Sequence, residues 1–346
     1  MLRDRWLFGR KTNAFTLQWH LTNACELHCR HCYDRSNTSA LDLPEAIRIL
    51  NGFVLFCKKR RIKGHISLTG GNPFLYAGLI KLYEEISKKG IPISIYGNPI
   101  SDDLVEKIVS IQKPAYFQVS LEGLKDHNDY IRGVDHFDRT IHFLQILGRH
   151  GVRRHVMLTL SRDNMDQVIP LAESLTGSVE RLTFNRLSQV GEGASLEIPT
   201  KNRLISFMKQ YLVASRTSKI LGFKDNLFNI FRHHYHRPLF GGCTHFGCGA
   251  AFNFFALLPD GEVHACRKFP SRIGNILEND MNSIYESKAA RQYRQGCQAC
   301  KGCPVRKKGS FVFSVEILGL RGRSAGGSSE GSSRDLGTRK PSFLAA

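Results

Sequence analysis

Between Phe15 and about Leu187, the chain alternates two hydrophobic patterns. Short apolar, β-rich runs predict strands, and the longer segments between them repeat apolar residues every three to four positions, which predicts amphipathic helices. The predicted strands are Phe15–Leu21, His65–Thr69, Pro92–Tyr96, Tyr116–Ser120, His155–Leu160 and Arg181–Phe184. The predicted helices are Pro44–Lys59, Tyr76–Lys89, Asp102–Ile111, Phe137–His150 and Met165–Leu175. Such regular alternation favours parallel βαβ units and an α/β fold.

Two architectures fit six such strands. They are too few for a closed eight-stranded barrel, so a doubly wound open sheet and a partial (β/α)6 TIM-like barrel remain. In both, ligands bind at the C-terminal ends of the strands. Further along, Leu204–Ala214 reads as an amphipathic helix, and Pro259-Asp260-Gly261 between two apolar runs predicts a β-hairpin. A helix-like segment, Met281–Tyr293, follows, so we expect a small C-terminal extension of hairpin plus helix.

Composition narrows the class of protein. The 346 residues are 42% hydrophobic, enough for a large core, but no segment has the roughly 18 unbroken apolar residues of a membrane span. The N-terminus does not read as a signal peptide, so we expect a cytoplasmic protein that does not associate with membranes. Ten cysteines in that compartment indicate metal ligation or redox chemistry rather than disulfides. Cys57 stands apart in an apolar helical run and is expected to be a buried structural thiol.

The formal charge is +19 and the isoelectric point about 9.7. This balance suggests an anionic partner: nucleic acid, an acidic peptide or only an anionic cofactor. The positive residues are scattered without a long Lys/Arg block, so a solvated surface accounts for most of them.

Three cysteines, Cys25, Cys29 and Cys32, lie just past the end of the first predicted strand. A loop there can wrap three thiolates around one corner of a metal cluster. Clusters that only carry electrons usually take four cysteines, and structural zinc takes four ligands. A three-cysteine set therefore leaves one position for a small molecule. The alternative is a zinc loop completed by His28 or His31.

Small or polar residues also follow the other predicted strands. The second strand leads into Gly70-Gly71-Asn72-Pro73, where paired glycines would let the backbone approach a ligand closely. Each residue alone could serve only as a turn former. The remaining positions are Asn98, Ser120, Glu122, Thr159, Ser161, Asn164, Asn185 and Arg186.

The spacing Cys-x3-Cys-x2-Cys followed by Tyr33 resembles the signature of the radical S-adenosylmethionine (radical SAM) enzymes. The zinc-loop interpretation does not explain polar strand ends in register with these cysteines. Five sequence segments resemble the radical SAM maturases assigned to thio(seleno)oxazole-type, selenobiotic peptides. They are Trp19-His-Leu-Thr-Asn-Ala-Cys25, His31-Cys-Tyr-Asp-Arg35, Thr69-Gly-Gly-Asn-Pro73, Val119-Ser-Leu-Glu-Gly123 and Cys248-Gly-Ala-Ala-Phe-Asn253.

The resemblance implies a role for each matching residue. Cys25, Cys29 and Cys32 would hold a 4Fe–4S cluster whose open iron binds S-adenosylmethionine (SAM). Gly70, Gly71, Asn72 and Pro73 match the Gly-Gly-Glu-Pro motif that holds the methionine amino group, with Asn72 in place of the usual Glu. Ser120 and Glu122 would bind the ribose, Arg132 the cofactor carboxylate, and Tyr33 would pack near the adenine. Asn98, Thr159 and Asn185 would add contacts to cofactor or substrate. For Arg132 the alternative is a surface salt bridge.

The later cysteines resemble the start of a SPASM extension, which holds auxiliary iron–sulfur clusters. The candidate ligands are Cys243, Cys248, Cys266, Cys297, Cys300 and Cys303. In that pattern two further cysteines would follow at positions that here hold Gly309 and Phe313. Cys243, Cys248 and Cys266 would still hold one auxiliary cluster. The alternative is that Cys297 supplies a missing ligand and that the chain builds fewer clusters than the full pattern. We expect the tail from about Arg306 to be disordered or read in a shifted frame.

These patterns divide the chain into an N-terminal segment (1–12), a radical SAM core (13–190), bridging helices (191–240), an incomplete SPASM-like region (241–305) and the tail (306–346). Of the two architectures, the resemblance implies the partial (β/α)6 TIM-like barrel for the core. The implied activity is reductive cleavage of SAM to a 5′-deoxyadenosyl radical, which abstracts hydrogen from a ribosomally made Cys- or Sec-containing peptide. An electron donor such as flavodoxin or ferredoxin would be needed. The alternatives are an RNA-modifying radical SAM enzyme, for which no RNA-binding module is recognised, and an activator of another enzyme.

Overall fold

The computed structural model describes residues 14–36, 40–229, 249–268 and 270–294. The N-terminal segment 1–12, the His-rich tract 231–236 and the tail after 305 lie outside these ranges. Five predicted auxiliary ligands also lie outside them, namely Cys243, Cys248, Cys297, Cys300 and Cys303.

The described strands form one nine-stranded sheet in the order β6-β5-β4-β3-β2-β1-β7-β8-β9. The strands are β1 (Ala14–His20), β2 (Lys63–Thr69), β3 (Ile93–Tyr96), β4 (Tyr116–Ser120), β5 (Arg154–Leu160), β6 (Arg181–Arg186), β7 (Phe254–Leu257), β8 (Glu262–His264) and β9 (Arg272–Asn275). The first six are parallel to one another and lie within two residues of the predicted strand bounds. The sequence pattern thus located each strand of the parallel sheet.

Strand order decides between the two predicted architectures. Strands β1 to β6 follow one another in the sheet without a reversal. Because right-handed crossovers in a constant direction place every connecting helix on the same face, the arrangement is that of a partial (β/α)6 barrel. A doubly wound sheet would need a reversal of order to place helices on both faces. The α/β fold class is therefore confirmed.

The helices agree with the pattern except in three places. They are α1 (Leu43–Arg60), α2 (Leu79–Lys88), α3 (Asp102–Ile111), α4 (Lys125–Arg132), α5 (His136–Arg149), α6 (Val168–Ser174), α7 (Lys201–Ala214), α8 (Met281–Glu286) and α9 (Lys288–Arg294). Helix α4 was not predicted, because its sequence carries few apolar residues. The segment predicted as helix Met165–Leu175 begins as a 3-10 turn, and Met281–Tyr293 is interrupted at Ser287.

Helix α1 shows how local chemistry fixes an element. Asp42 accepts a hydrogen bond from the Glu45 backbone N–H, and Glu45 accepts one from the Asp42 N–H, a reciprocal cap that starts the helix. The buried face of α1 carries Cys57, as predicted. No helix among the described residues combines the length and apolar character required to cross a bilayer.

The predicted hairpin is present, and it extends the core sheet. Strands β7 and β8 pair antiparallel around Pro259–Gly261, while β7 also pairs in parallel with β1. Beneath this junction the Phe15 ring packs 4.9 Å from Phe56, 5.0 Å from Phe255 and 6.0 Å from Tyr285, measured between ring centroids. This aromatic cluster joins β1, α1, β7 and α8, so the hairpin region and the parallel sheet share one hydrophobic core.

Candidate active site at the cysteine loop

The cysteine loop (residues 21–36) leaves the C-terminal end of β1 and is fixed first by the glycines after β2. The backbone N–H of Gly71 donates to Thr22 O and that of Asn72 to Ala24 O, each at 2.7 Å. A Cβ on Gly70 or Gly71 would collide with these carbonyls, and Gly70 has φ of +141°. The glycines thus allow a close approach to the backbone of the cysteine loop, because only glycines let the two segments pair. The predicted approach to a ligand stays a prediction.

Two further segments hold the loop, helix α4 and the turn after β6. Arg30 donates its backbone N–H to Ile131 O and its Nε to Tyr130 O, each at 2.9 Å, near the end of α4. Its guanidinium also lies 4.3 Å from the centroid of the Tyr130 ring. The Glu192 N–H donates to Cys32 O at 2.9 Å, from the turn that follows β6. The loop is therefore positioned by segments after β2, β4 and β6.

Two of the three thiols face nitrogen donors. Asn98 Nδ2 lies 3.5 Å from Cys25 Sγ, and Arg132 Nη1 lies 3.7 Å from Cys29 Sγ. Burial raises the pKa of both Cys25 and Cys29, so these thiols keep their protons until a metal displaces them. N–H donors directed at sulfur suit the negative charge of a thiolate-bound iron–sulfur cluster. The donor set therefore fits a 4Fe–4S cluster with three protein ligands.

The zinc-loop alternative required His28 or His31 beside the thiols. His28 is exposed, and His31 directs its Nε2 towards Glu122 Oε1 and Arg132 Nη2, each at 3.4 Å. Burial lowers the pKa of His31 to about 4, so it is neutral near pH 7. In the ranges that the structure describes, no three His, Cys, Asp or Glu side chains are grouped around a single metal position.

A buried ion pair lies beside Cys29. Glu122 is 1% exposed and Arg132 9%, and Arg132 donates to Glu122 Oε1 from Nη2 at 2.5 Å and from Nε at 2.9 Å. Thr159 N donates to Glu122 Oε2 at 2.6 Å. Burial alone would raise the pKa of Glu122, but His31, Arg132 and the Thr159 N–H outweigh it, and the pKa is lowered. The surface salt bridge considered for Arg132 is thus wrong, because its partner is a buried carboxylate.

Two asparagines hold the Glu122 segment in place. Asn164 Nδ2 donates to Glu122 O at 2.8 Å and to Thr159 O at 2.9 Å, and its Oδ1 accepts from Ser161 N at 2.8 Å. Asn128 Oδ1 accepts the Glu122 N–H at 3.0 Å. These amides tie the ends of β4 and β5 together beside a small cleft lined by His31, Glu122, Thr159 and Asn164.

A second carboxylate, that of Glu26, lies on the opposite side of the loop. Asn72 Nδ2 lies 3.0 Å from each carboxylate oxygen of Glu26, and Asn98 Nδ2 lies 2.9 Å from Oε1. Asn72 and Asn98, both predicted site residues, are thereby joined by a residue that the sequence did not single out. No local pattern could have indicated Glu26, since its partners are contributed by loops after two other strands.

The remaining predicted residues surround the same edge of the sheet. Pro73 is buried at the start of a 3-10 turn, and Ser120 ends β4. Thr159 and Asn185 are register partners on β5 and β6. Tyr33 is 37% exposed, with the Arg267 guanidinium 5.3 Å from its ring centroid.

One contact links the cysteine loop to the hairpin region. Arg267 forms an ion pair with Asp34, two residues after Cys32. Arg267 follows Cys266, the one predicted auxiliary ligand within the described ranges, whose N–H donates to Ser271 Oγ at 2.9 Å. The first cysteine loop and the end of the hairpin therefore lie next to each other.

Comparison with known proteins identifies two domains in this chain. A model of the Radical SAM superfamily matches residues 19–175, and a model of the SPASM iron–sulfur cluster-binding domain matches residues 248–304. The subtilosin biosynthesis protein AlbA of Bacillus subtilis is 22% identical over 80% of this chain. The mycofactocin maturase MftC of Mycolicibacterium smegmatis is 26% identical over 83% of this chain and 74% of its own length. The chain spans only 61% of the length of AlbA.

Solved structures agree on the fold. Streptococcus suis SuiB bound to S-adenosylmethionine superimposes with a TM-score of 0.64 at 18% identity, over 82% of this chain and 68% of SuiB. SuiB bound to its precursor peptide SuiA gives 0.63. The two domains indicate 4Fe–4S clusters, and SAM is bound in the structural neighbour. The chain therefore carries a radical SAM domain followed by a SPASM domain.

Proposed function

We propose that this chain is a cytoplasmic radical SAM enzyme that modifies a ribosomally made peptide containing Cys or Sec. The observation that carries the proposal is the cysteine loop itself, with three cysteines at the C-terminal edge of a parallel sheet and N–H donors facing two of the thiols. When bound, a 4Fe–4S cluster supplies one electron to the sulfonium of SAM, which yields methionine and a 5′-deoxyadenosyl radical that abstracts a hydrogen atom from the substrate.

The protein's own residues would bind and orient the cofactor. Cys25, Cys29 and Cys32 hold the cluster, and the Gly70–Pro73 segment fixes their loop while presenting backbone groups to the methionine end. Ser120 and Glu122 bind the ribose, and Arg132 contacts the cofactor carboxylate. Arg132 is already directed by Glu122, so its side-chain geometry is set before the cofactor binds. Tyr33 packs near the adenine, and Asn98, Thr159 and Asn185 add contacts to the cofactor or the substrate.

Two observations support a peptide substrate. AlbA is named as a bacteriocin biosynthesis protein and MftC as a maturase, and SuiB was solved bound to a precursor peptide. The SPASM match covers residues 248–304, after the core, and Arg267 in this region contacts the loop of Cys32 through Asp34. An auxiliary cluster held there would lie beside the substrate, where it could bind the substrate sulfur or accept an electron. A flavodoxin or ferredoxin would supply the electron for SAM cleavage.

The experiment follows the abstracted hydrogen. The cluster-reconstituted enzyme is incubated anaerobically with SAM, dithionite and a synthetic Cys-containing peptide encoded beside the gene, deuterated at the cysteine Cα and Cβ. Deuterium in 5′-deoxyadenosine, together with a mass loss in the peptide, is the expected result. The same peptide with Cys replaced by Ser is the matched control and should transfer no deuterium.

An RNA substrate is the second candidate, because the +19 charge would suit a polyanion. Mass spectrometry of RNA that copurifies with the enzyme distinguishes the two. Deuterium-free 5′-deoxyadenosine with every peptide tested, together with a modified nucleoside in the bound RNA, would contradict the peptide proposal.

A further inference from the structure

Glu26 stands out because, among the described residues, this exposed carboxylate accepts only from neutral donors. Its two oxygens accept from Asn72 Nδ2 at 3.0 Å each, and Oε1 accepts from Asn98 Nδ2 at 2.9 Å. Among the described residues no Lys, Arg or His nitrogen lies within 4.0 Å of this carboxylate, in a chain whose formal charge is +19. Within the part of the chain that the structure describes, this negative charge is positioned without a cationic partner, which suits it to bind a cation.

The orientation of Asn72 is fixed independently of Glu26. Its Oδ1 accepts the backbone N–H of Phe74 at 3.2 Å, and the residue is 4% exposed. Because the amide oxygen is used by an N–H donor, the amide nitrogen must face the other way, towards Glu26. A carboxylate at position 72 could not donate, and it would repel Glu26. Asparagine at 72 and glutamate at 26 are therefore complementary.

The carboxylate is also close to the cluster ligands. Asn98 Nδ2 contacts Cys25 Sγ at 3.5 Å as well as Glu26 Oε1, so a single nitrogen separates the thiol from the carboxylate. A cation bound by Glu26 would sit beside the metal bound by Cys25. The α-ammonium group of SAM is a cation that must lie next to that metal if the cofactor's amino acid end binds there.

We propose that Glu26, and not residue 72, supplies the negative charge that binds the α-ammonium group of SAM, while Asn72 and Asn98 position its carboxylate. The proposal rests on the proposed function, since it concerns the same cofactor. The chain retains one carboxylate at this end of the site but contributes it from the cysteine loop. Glu26 is thus a cofactor-binding residue that the loop sequence alone did not reveal.

The test measures binding without turnover. Oxidised, cluster-loaded protein is titrated, in the absence of reductant, with SAM and with a deaminated analogue that lacks the α-amino group, by equilibrium dialysis. Glu26→Gln keeps the shape and one acceptor oxygen but removes the charge. We expect it to weaken SAM binding by about 10- to 100-fold, the range for a lost charged hydrogen bond, and to leave the affinity for the analogue within about 2-fold.

Two further variants complete the design. Glu106→Gln removes an exposed carboxylate on α3 and should bind SAM as the parent protein does. The double variant Glu26→Gln/Asn72→Glu returns a carboxylate to the same place and should recover much of the SAM affinity. Iron content and thermal unfolding confirm that each variant is folded and loaded.

The possible failures are distinguishable. If Glu26→Gln binds SAM as tightly as the parent, or loses SAM and the analogue equally, Glu26 only positions the loop and the inference is overturned. If the parent protein itself binds no SAM, the proposed function fails first, and the inference with it.

Discussion

The two carboxylates beside the cysteine loop, Glu26 and Glu122, are held in opposite ways. Glu122 is 1% exposed and paired with the buried guanidinium of Arg132. Glu26 is exposed, and its partners within the described ranges are the amides of Asn72 and Asn98. A buried charge needs a charged partner to offset its lost hydration, but an exposed one does not. The buried Glu122–Arg132 pair therefore has a fixed geometry, whereas the exposed Glu26 keeps a charge available for a ligand.

The largest expected effect comes from breaking the buried side. Glu122→Gln leaves the Arg132 guanidinium buried without a counterion and removes an acceptor from Thr159 N. We expect a loss of about 3–5 kcal/mol in the free energy of unfolding, measured by urea denaturation of the metal-free protein at pH 7. Glu26→Gln, by the same measurement, should cost less than about 1 kcal/mol. Equal losses of unfolding free energy in the two variants would show that the difference in burial between Glu122 and Glu26 has no effect on stability.

The next largest effect is expected for the backbone pairing between the glycines after β2 and the cysteine loop. Gly70→Ala introduces a Cβ against Thr22 O at a positive φ, so the strand end and the cysteine loop must separate. A destabilisation of about 2–3 kcal/mol is expected, with reduced iron uptake on reconstitution. The matched control is Gly52→Ala in α1, where no atom lies within 4 Å of the new Cβ. That variant should be stabilised by up to about 1 kcal/mol, and a stable, fully loaded Gly70→Ala protein would refute the pairing.

A smaller effect is expected where the hairpin region meets the loop. Arg267→Met removes the ion pair with Asp34, but Asp34 Oδ1 still accepts from Ser36 N at 2.9 Å and from Ser36 Oγ at 2.6 Å. Because the remaining carboxylate keeps partners, we expect a loss of only about 1–2 kcal/mol in thermal unfolding. Arg216→Met, at an exposed position just after the end of α7, serves as the comparison and should change stability by less than about 0.5 kcal/mol. A loss of stability as large as that of Glu122→Gln would mean that the Arg267–Asp34 pair contains a buried charge, as the Glu122–Arg132 pair does.

The smallest expected change is a pH dependence of the Glu122 contribution. The pKa of Glu122 is lowered in the folded protein, so its stabilising effect is complete above the ordinary glutamate pKa of about 4.3 and is lost as the pH falls through the folded value. The stability difference between parent and Glu122→Gln should thus be constant from pH 8 to 6 and shrink below about pH 4.3. A difference that grows with acidity would mean that the pKa is raised instead.

The parallel sheet could be predicted because each strand and helix carries its own local hydrophobic period. The hydrophobic pattern alone left a doubly wound sheet open, since strand order depends on contacts between elements, and the partial barrel was predicted through the family resemblance. Helix α4 escaped prediction because Lys125–Arg132 buries only a few residues, among them Asn128 and Arg132, whose polar partners come from elsewhere in the chain.

The candidate site, like the fold, could be predicted only where its residues follow a local pattern. Cys25, Cys29 and Cys32 share one loop, so their spacing alone indicated a cluster. Asn72 and Asn98 were identified by their place at strand ends. Their common partner Glu26 was not, because the contact joins three loops that only the folded sheet brings together.

The most direct test of the central claim is anaerobic iron and sulfide analysis together with SAM cleavage. It compares this chain with a Cys25→Ala/Cys29→Ala/Cys32→Ala variant. The account predicts iron and sulfide beyond one 4Fe–4S cluster in the parent, 5′-deoxyadenosine on reduction, and a variant that keeps part of the iron but forms none of this product. A parent protein that contains zinc in place of iron and sulfide, and never cleaves SAM, would contradict it.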